Sequence, residues 1–488
     1  MHLKISAHTA NCLKKQNFMF IRQDLKSRRQ IALDKNKRSA LMEFVTQPAR
    51  KIKVIHKTQL CVLGGSQTGV FAAVRAARLG VDCTVVEQAG CFGGVATAGM
   101  VNCLHTLLDD RFENQIIGGL TDEILKIMIK NGDAVAYDKD RSAGFRINSQ
   151  ILKILLDRYV TDHKIKPFLH TKVCDGFVEN GVLRGVVVET VEGPGVILAD
   201  AFIDATGDAI LCERLGVASY KQSPMQPPSA CSVVYKLDLS RILEYRKLWE
   251  QHSAEYGLEP DWGWSGEIPN CRDLSMMAEN HIFNCDCSKT DDLTKAEMEG
   301  RRKTYALIEI LHKYAENADV KIAALCDYVG VRQTRQLKCL HKVTMEELLS
   351  GRRFEDAVLN GTYRIDMHHE GQGISFYYLD GTKEVYSDRV NRTLTRWADA
   401  DYKGKPFYQM PYRSMVPDCP YSNLLIAGRS IDAENGAYGA LRVMVNTNQM
   451  GEAAGVAACI MIHDGCAAKD VPPLKLRELL KKGGSIVL

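Results

Sequence analysis

One stretch, LCVLGGSQTGVFAAVRAARLGVDCTVVEQ (Leu60 to Gln88), constrains the fold of this chain more than any other. Leu60–Leu63 is a short apolar run that stops at Gly64, the pattern of a buried strand. Thr68–Leu79 repeats apolar and small residues at helical spacing and stops at Gly80, a natural helix C-cap. Cys83–Val86 is a second apolar run, closed by Glu87. Strand, glycine turn, helix and strand predict a βαβ unit with parallel, central strands. Gly64 and Gly69 take the first and third places of the G-x-G-x-x-G fingerprint and Gly65 the free position, but Ser66 stands where the second glycine is usual. The Ser66 hydroxyl can itself donate to a phosphate oxygen, and the helix start offers free N–H groups and a positive dipole end. Glu87 is suited to accept a ribose 2′-OH and argues against a 2′-phosphate. Alone, this turn fits NAD, FAD or a βαβ unit with no ligand.

Three later segments narrow the choice. AGCFGGVATAG sets a second glycine pair, Gly93 and Gly94, and Thr97 just after the acidic strand end. FIDATGDA predicts a strand ending in the tight turn Ala205-Thr206-Gly207-Asp208, where a side chain would obstruct close backbone contact. NLLIAGRSIDAENGAYGALRVMVNTNQ supplies a late strand, Gly428-Arg429, and then a helix expected over 439–463 that carries Gly439 and Arg442. Such a helix aims its N-terminus at a flavin or pyrophosphate. Between them, TKVCDGFVENGVLRGVVVET reads as a hairpin turning at Asn180-Gly181, with Val173 and Gln88 further candidates for cofactor contact. A plain NAD-binding domain requires none of these three additions, so FAD is the expected cofactor.

The texture changes at Pro224, Pro227 and Pro228. The expected fold class is α/β: a Rossmann-like FAD-binding domain, residues 42–222 and 405–470, with an inserted α+β substrate or cap domain at 223–404 and a tail at 471–488. A long charged helix is expected at about 293–316 inside the insert. With 488 residues, 45% of them hydrophobic, the chain can bury sizeable cores. No apolar run is long enough to span a membrane as a helix. Residues 1–57 hold 14 Lys/Arg against Asp24, Asp34 and Glu43, a net +11, so the remainder carries −7 of the overall +4 and gives no reason to expect nucleic acid. The basic leader, 1–41, lacks a secretory h-region and is a weak transit peptide; the expectation is a disordered tail or an extension upstream of a start near Met42. Sixteen cysteines without a C-x-x-C pair, the nearest being Cys285 and Cys287, predict reduced thiols in a cytoplasmic protein and no metal site.

GGVATAG (93–99), GVRQTR (330–335), GRRFEDAVLNGTYRIDMHH (351–369) and PYRSMVPDCPYSNLLIAGRS (411–430) occur in this order. The chain resembles the FAD-dependent oxidoreductase family of FAD-oxidored type, related to the glutathione-reductase-like two-dinucleotide superfamily, from about Arg50 to Gly465. It departs at Ser66, at Gln333 where a Glu is usual, and in DAENGAYGA, which puts a flavin contact by Asp432 in question. The resemblance implies redox chemistry: a dehydrogenase or oxidase passing a hydride from a small polar, hydroxy- or carboxyl-bearing substrate to the flavin. A non-catalytic FAD-binding protein and a flavin-dependent hydroxylase are the alternatives. No second G-x-G-x-x-G appears for NAD(P)H, and the electron acceptor is open.

His368 matches the family's Y-x-x-D-x-H pattern and is the first candidate for acid–base work, with Asp366 to orient it. Arg413 leads into the late strand and is a candidate to anchor a carboxylate or stabilise reduced flavin. Arg332 and Arg335 are candidates for an anion clamp. Asn102 and His105 are weaker candidates, and Cys91 lacks a partner at disulfide-reductase spacing.

Overall fold

A computed structural model describes Val45 and residues 48–137, 143–369 and 373–488; the basic leader, 1–41, with the expectation of a disordered tail, lies outside the described residues. Five short parallel strands form the central sheet: β1 (Leu60–Leu63), β2 (Cys83–Val86), β3 (Lys166–Phe168), β4 (Ala201–Asp204) and β5 (Leu424–Ile426), in the order β5-β4-β1-β2-β3. β1, β2, β4 and β5 are buried at every residue, as continuous apolar runs in a covered parallel sheet must be. β5 joins β4 from more than 200 residues away in the chain.

The helix after β1 is α1 (Gln67–Arg78), and the two longest helices of the described residues are α2 (Thr290–Tyr314) and α3 (Met444–Asp464). α3 lies against α1 backbone to backbone: a Cβ on Gly451 or Gly455 would stand 2.1 Å from the carbonyl oxygens of Thr68 and Ala72. The expected single helix over 439–463 is instead two, Asn435–Leu441 and α3, broken at Arg442 and Val443. The run GVILADAFIDATGDA also divides. Gly193–Leu198 joins a mixed sheet, antiparallel to Val182–Thr190, which pairs with Lys172–Glu179, and parallel to Lys53–Lys57, while only β4 enters the central sheet. The hairpin turn is as the sequence reads, with Asn180 and Gly181 both at positive φ, 52° and 77°.

Residues 223–404 carry α2 and two four-stranded antiparallel sheets. One is ordered Trp264–Glu267, Leu274–Ala278, Ser232–Tyr235, Lys321–Leu325; the other runs Ile365–His369, Gly373–Tyr377, Thr382–Tyr386, Arg392–Arg396. The first sheet packs on α2 and on Ile242–His252 through Trp249, Leu307 and Leu311, a core separate from that of the parallel sheet. Residues 52–488 nonetheless form one compact unit. The segment read as a tail holds the helix Pro473–Lys482, whose Leu476 and Leu480 are buried in the main core.

Candidate active site

The turn after β1 is shaped by what it must approach. Gly64 has φ +97°, and a Cβ there would lie 2.4 Å from the Ala205 carbonyl oxygen, so only glycine lets the first turn touch the turn after β4. Gly207 does the same against Arg429, whose guanidinium a Cβ would meet at 2.7 Å. A groove of about 200 Å³ runs between these turns, lined by Gly64, Ser66, Glu87, Gln88, Gly93, Gly94, Ala205, Gly207, Asp208, Gly428, Arg429 and Arg442. Twelve of the expected cofactor residues thus share one surface. Val173 borders a smaller recess with Gly64, Glu87, Gln88 and Thr206.

Four expected cofactor residues act behind the surface. Gly65 donates its N–H to Glu87 Oε2 at 2.6 Å, and Ala89 N–H donates to Oε1 at 2.7 Å. Burial raises the Glu87 pKa against these two donors. Gly69 packs α1 onto Gly64, its Cβ position being 1.8 Å from the Gly64 oxygen. Thr97 is buried and donates to the Phe92 carbonyl at 2.6 Å, locking its own loop. Gly439 admits the backbone of Asp366, whose oxygen a Cβ would meet at 2.3 Å. Ser66 starts α1, and its hydroxyl caps no N–H of the helix.

A second cavity, of about 390 Å³, shares Val95, Val331, Arg429, Arg442 and Met444 with the groove. His368 and Arg332 line it. His368 Nε2 is 3.2 Å from Asp366 Oδ1, an ion-pair distance outside hydrogen-bond alignment. Asp366 Oδ2 accepts from Arg442 at 2.8 Å and from the Tyr363 hydroxyl at 2.9 Å. Burial drives the His368 pKa well below its usual value despite Asp366, so the imidazole is neutral near pH 7. Asp366 stays ionised: burial opposes its charge, but Arg442 above all, with Arg332, holds its carboxyl well below the usual range. With the imidazole neutral, Arg442 is the main counter-charge. A second histidine, His281, lies 4.5 Å from the His368 ring at a tilt of 52° and is fixed by Asp261 at 2.7 Å; sequence reading missed both.

Gln333 explains part of the GVRQTR motif. Its Oε1 accepts from the Gln226 N–H, and Gln226 Oε1 accepts from the His368 N–H, so the segment supports the strand that carries the imidazole.

Two candidate residues lie away from both cavities, and a third residue, already in question, is engaged elsewhere. Arg413 lines neither cavity; it pairs with Asp356 at 2.8 Å, and its side chain is 41% exposed. The reason is local: the segment before β5 turns through Tyr412–Met415, which seats Arg413 beside Phe354. Arg335 donates to the Asp208 carbonyl at 3.0 Å and faces Glu213, so it braces the turn after β4 instead of clamping an anion. Asp432 has both carboxylate oxygens taken, by the Tyr220 hydroxyl at 2.7 Å and the Cys339 N–H at 3.0 Å. Asn102 donates to the Glu267 carbonyl, and the His105 ring lies 3.9 Å from that of Tyr363, tilted by 32°, with its pKa lowered to about 3 by burial. Cys91 is a free thiol. Residues the sequence did not flag also line the cavity: Arg146, Arg246, Trp262, Trp264 and Arg364. The alternation Trp262-x-Trp264 was the one available signal.

The groove fits FAD by its own construction. Glycine turns give close backbone approach, the unused N–H groups at the start of α1 meet an anion, and Arg429 keeps a buried Nη1 without a partner. Among solved structures, the chain is similar to a geranylgeranyl bacteriochlorophyll reductase-like protein from Thermoplasma acidophilum, at 11% identity over 88% of this chain and 83% of that one, TM-score 0.44. It is also similar to a flavin-dependent brominase, at 10% identity over 86% and 83%, TM-score 0.42. A p-nitrophenol 4-monooxygenase from Pseudomonas putida gives 10% identity over 85% and 82%, TM-score 0.40. No curated protein matches the chain in sequence. The family model described as FAD dependent oxidoreductase matches residues 59–480, and the chain therefore belongs to that family, an oxidoreductase whose cofactor is FAD.

Proposed function

We propose that this flavoenzyme oxidises a small polar substrate bearing a hydroxyl and a carboxyl group, as a dehydrogenase or oxidase. The observation that carries the reading is the junction of the two cavities: the chamber lined by a neutral, buried His368 adjoins the dinucleotide groove, the two sharing Arg429 and Arg442. FAD, when bound, supplies the acceptor for a hydride from the substrate carbon. His368 takes the hydroxyl proton, which a neutral imidazole can do without first losing one of its own. Asp366, held by Arg442 and Tyr363, stabilises the imidazolium that results. Arg332 anchors a carboxylate, and the walls from residues 223–404, read as a substrate-shaping insert, limit water access. The fifteen free cysteines among the described residues suit a reducing, cytoplasmic setting.

Anaerobic mixing of the FAD-loaded protein with hydroxy acids, simple alcohols and amines tests the reading by loss of the flavin's visible absorbance. Hydroxy acids are expected to bleach it and His368→Gln to slow that bleaching. A coloured protein that no hydroxy acid reduces would remove the dehydrogenase reading and leave a FAD-binding protein.

A further inference from the structure

We propose that the substrate cavity takes an organic dianion, its two carboxylates held by Arg332 and Arg146. This deepens the preceding reading and rests on that cavity being the substrate site. Six arginines line it: Arg146, Arg246, Arg332, Arg364, Arg429 and Arg442. Three have carboxylate partners, Arg246 with Glu279 at 3.0 Å, Arg429 with Asp208 at 3.2 Å and Arg442 with Asp366 at 2.8 Å. Arg364 lies over the Phe376 ring at 4.0 Å.

Arg332 and Arg146 are different. Arg332 donates to the Pro227 carbonyl at 2.7 Å and the Ser229 hydroxyl at 2.8 Å, and no carboxylate of the described residues lies within ion-pair distance. Burial and neighbouring Arg442 lower its pKa to about 10, still charged at neutral pH. Arg146 is held by aromatic faces, 4.3 Å from the Tyr137 centroid and 4.8 Å from that of Trp264. Gly266 completes its slot, since a Cβ there would lie 2.5 Å from Arg146 Nε. Contact through ring faces leaves the guanidinium edge, with its N–H groups, unused by the described residues.

Arg332 feels Asp366 only from beyond ion-pair distance and Arg146 is held by ring faces, so each guanidinium in this partly desolvated chamber gains from a bound anion. The planar N–H fork of arginine matches a carboxylate in bidentate fashion, which an ammonium group does not. Both guanidiniums line one chamber of about 390 Å³, the scale of a single small ligand. One molecule with two carboxylates therefore satisfies the pair. The two arginines come from separate elements, Arg146 from the strand Gly144–Ile147 and Arg332 from the segment beside Ser229, so the clamp is set by the tertiary fold.

Titration of the FAD-loaded protein with malonate, succinate, glutarate and adipate, each against the monocarboxylate of equal chain length, tests this by calorimetry and by perturbation of the flavin band. The best diacid is expected to bind about tenfold tighter than its monoacid, as one added charge-assisted hydrogen-bonded pair requires. Arg146→Gln is expected to bring the diacid down to the monoacid and leave the monoacid unchanged; Arg332→Gln weakens both. Gly266→Ala, which fills the Arg146 slot while keeping the arginine, is expected to act as Arg146→Gln does. Equal binding of diacid and monoacid, absence of binding in the whole series, or indifference to Arg146→Gln in protein that retains FAD overturns the clamp. Diacid preference with no bleaching by any hydroxy acid would instead overturn the dehydrogenase reading and leave the clamp standing.

Discussion

The dinucleotide groove and the substrate cavity touch, yet they are built on opposite principles. The groove is built around backbone: turns after β1, β2, β4 and β5 bring glycines to its surface, with side chains such as Glu87, Glu297, Tyr328, Arg429 and Asn448 bordering them. The cavity is mostly side chains, contributed by residues as far apart as Arg146, Trp264, Arg332, His368 and Arg442. A site made of main chain tolerates almost no added atom, whereas a site made of side chains can lose a group and keep its fold. That difference orders the expected effects of mutation.

The largest effect belongs to Gly64→Val. It places a branched side chain where even a Cβ would lie 2.4 Å from the Ala205 oxygen, in a backbone conformation with φ +97° that valine strongly disfavours. The expected outcome is loss of FAD from the purified protein and destabilisation of roughly 3 kcal/mol or more, read by flavin absorbance and thermal unfolding. A variant that kept FAD would break the claim that the groove is rigid main chain. His368→Gln is expected to leave FAD content and melting temperature unchanged while slowing substrate-driven flavin reduction by about 10²–10⁴. Equal loss of FAD and of rate in that variant would erase the distinction between the two regions.

The same contrast accounts for what the sequence revealed. A backbone site needs glycines at fixed local spacing, so Gly64, Gly93, Gly207 and Gly428 each announce themselves within a few residues of a strand end. Strand boundaries of β1 and β2 were legible for the same local reason, as was the Asn180-Gly181 hairpin. A side-chain site depends on which strand faces which, and one sequence carries no such pairing. Arg146 looks like any arginine in a short strand until Tyr137, Trp264 and Gly266 surround it. Arg413 and Arg335 show the reverse error: a charged residue close in sequence to a flavin-proximal turn was assigned to the chemistry, but its partners Asp356 and Glu213 lie elsewhere in the chain. The break at Arg442 was also hidden, because small and apolar residues continue through it while only the fold needs the guanidinium at the junction.

Acid–base behaviour sharpens the comparison further. In the cavity, Asp366 is buried beside Arg442 and its carboxyl is held low, so it stays charged. Behind the groove, Glu452 on α3 is buried with Arg75 at 3.5 Å, and desolvation outweighs that cation, pushing its pKa up to about 7. A carboxyl raised in the folded state favours its protonated form there. Its contribution is fully favourable below the unfolded pKa near 4.5 and declines as pH rises to about 7. Glu452→Gln is therefore expected to flatten the stability profile across that window, with a gain of about 1–3 kcal/mol at pH 8 relative to the parent's change from acid pH. Chemical denaturation at pH 5, 6, 7 and 8 checks the slope, and a parent whose stability rises through the window would show that Arg75 compensates the charge. Arg413→Ala, by contrast, removes a partly exposed ion pair and is expected to cost less than about 1 kcal/mol with FAD content and bleaching rate intact.

The smallest expected effect is at Ser66, where this turn carries a side chain at the fingerprint's usual second glycine. Its hydroxyl caps nothing in α1, and its backbone bridges to Gly93 in the neighbouring glycine loop, so the turn is held by main chain on both sides. Ser66→Gly is expected to preserve FAD affinity within about threefold, since backbone N–H groups and the helix dipole already meet the phosphate. Equilibrium dialysis of FAD against the apoprotein measures it. Tighter binding would mean the Cβ keeps the cofactor slightly away from the turn. A loss of tenfold or more, about 1.4 kcal/mol, would make the hydroxyl a phosphate donor. The boundary between the backbone-built and side-chain-built regions would then run through the groove itself, at its second glycine position.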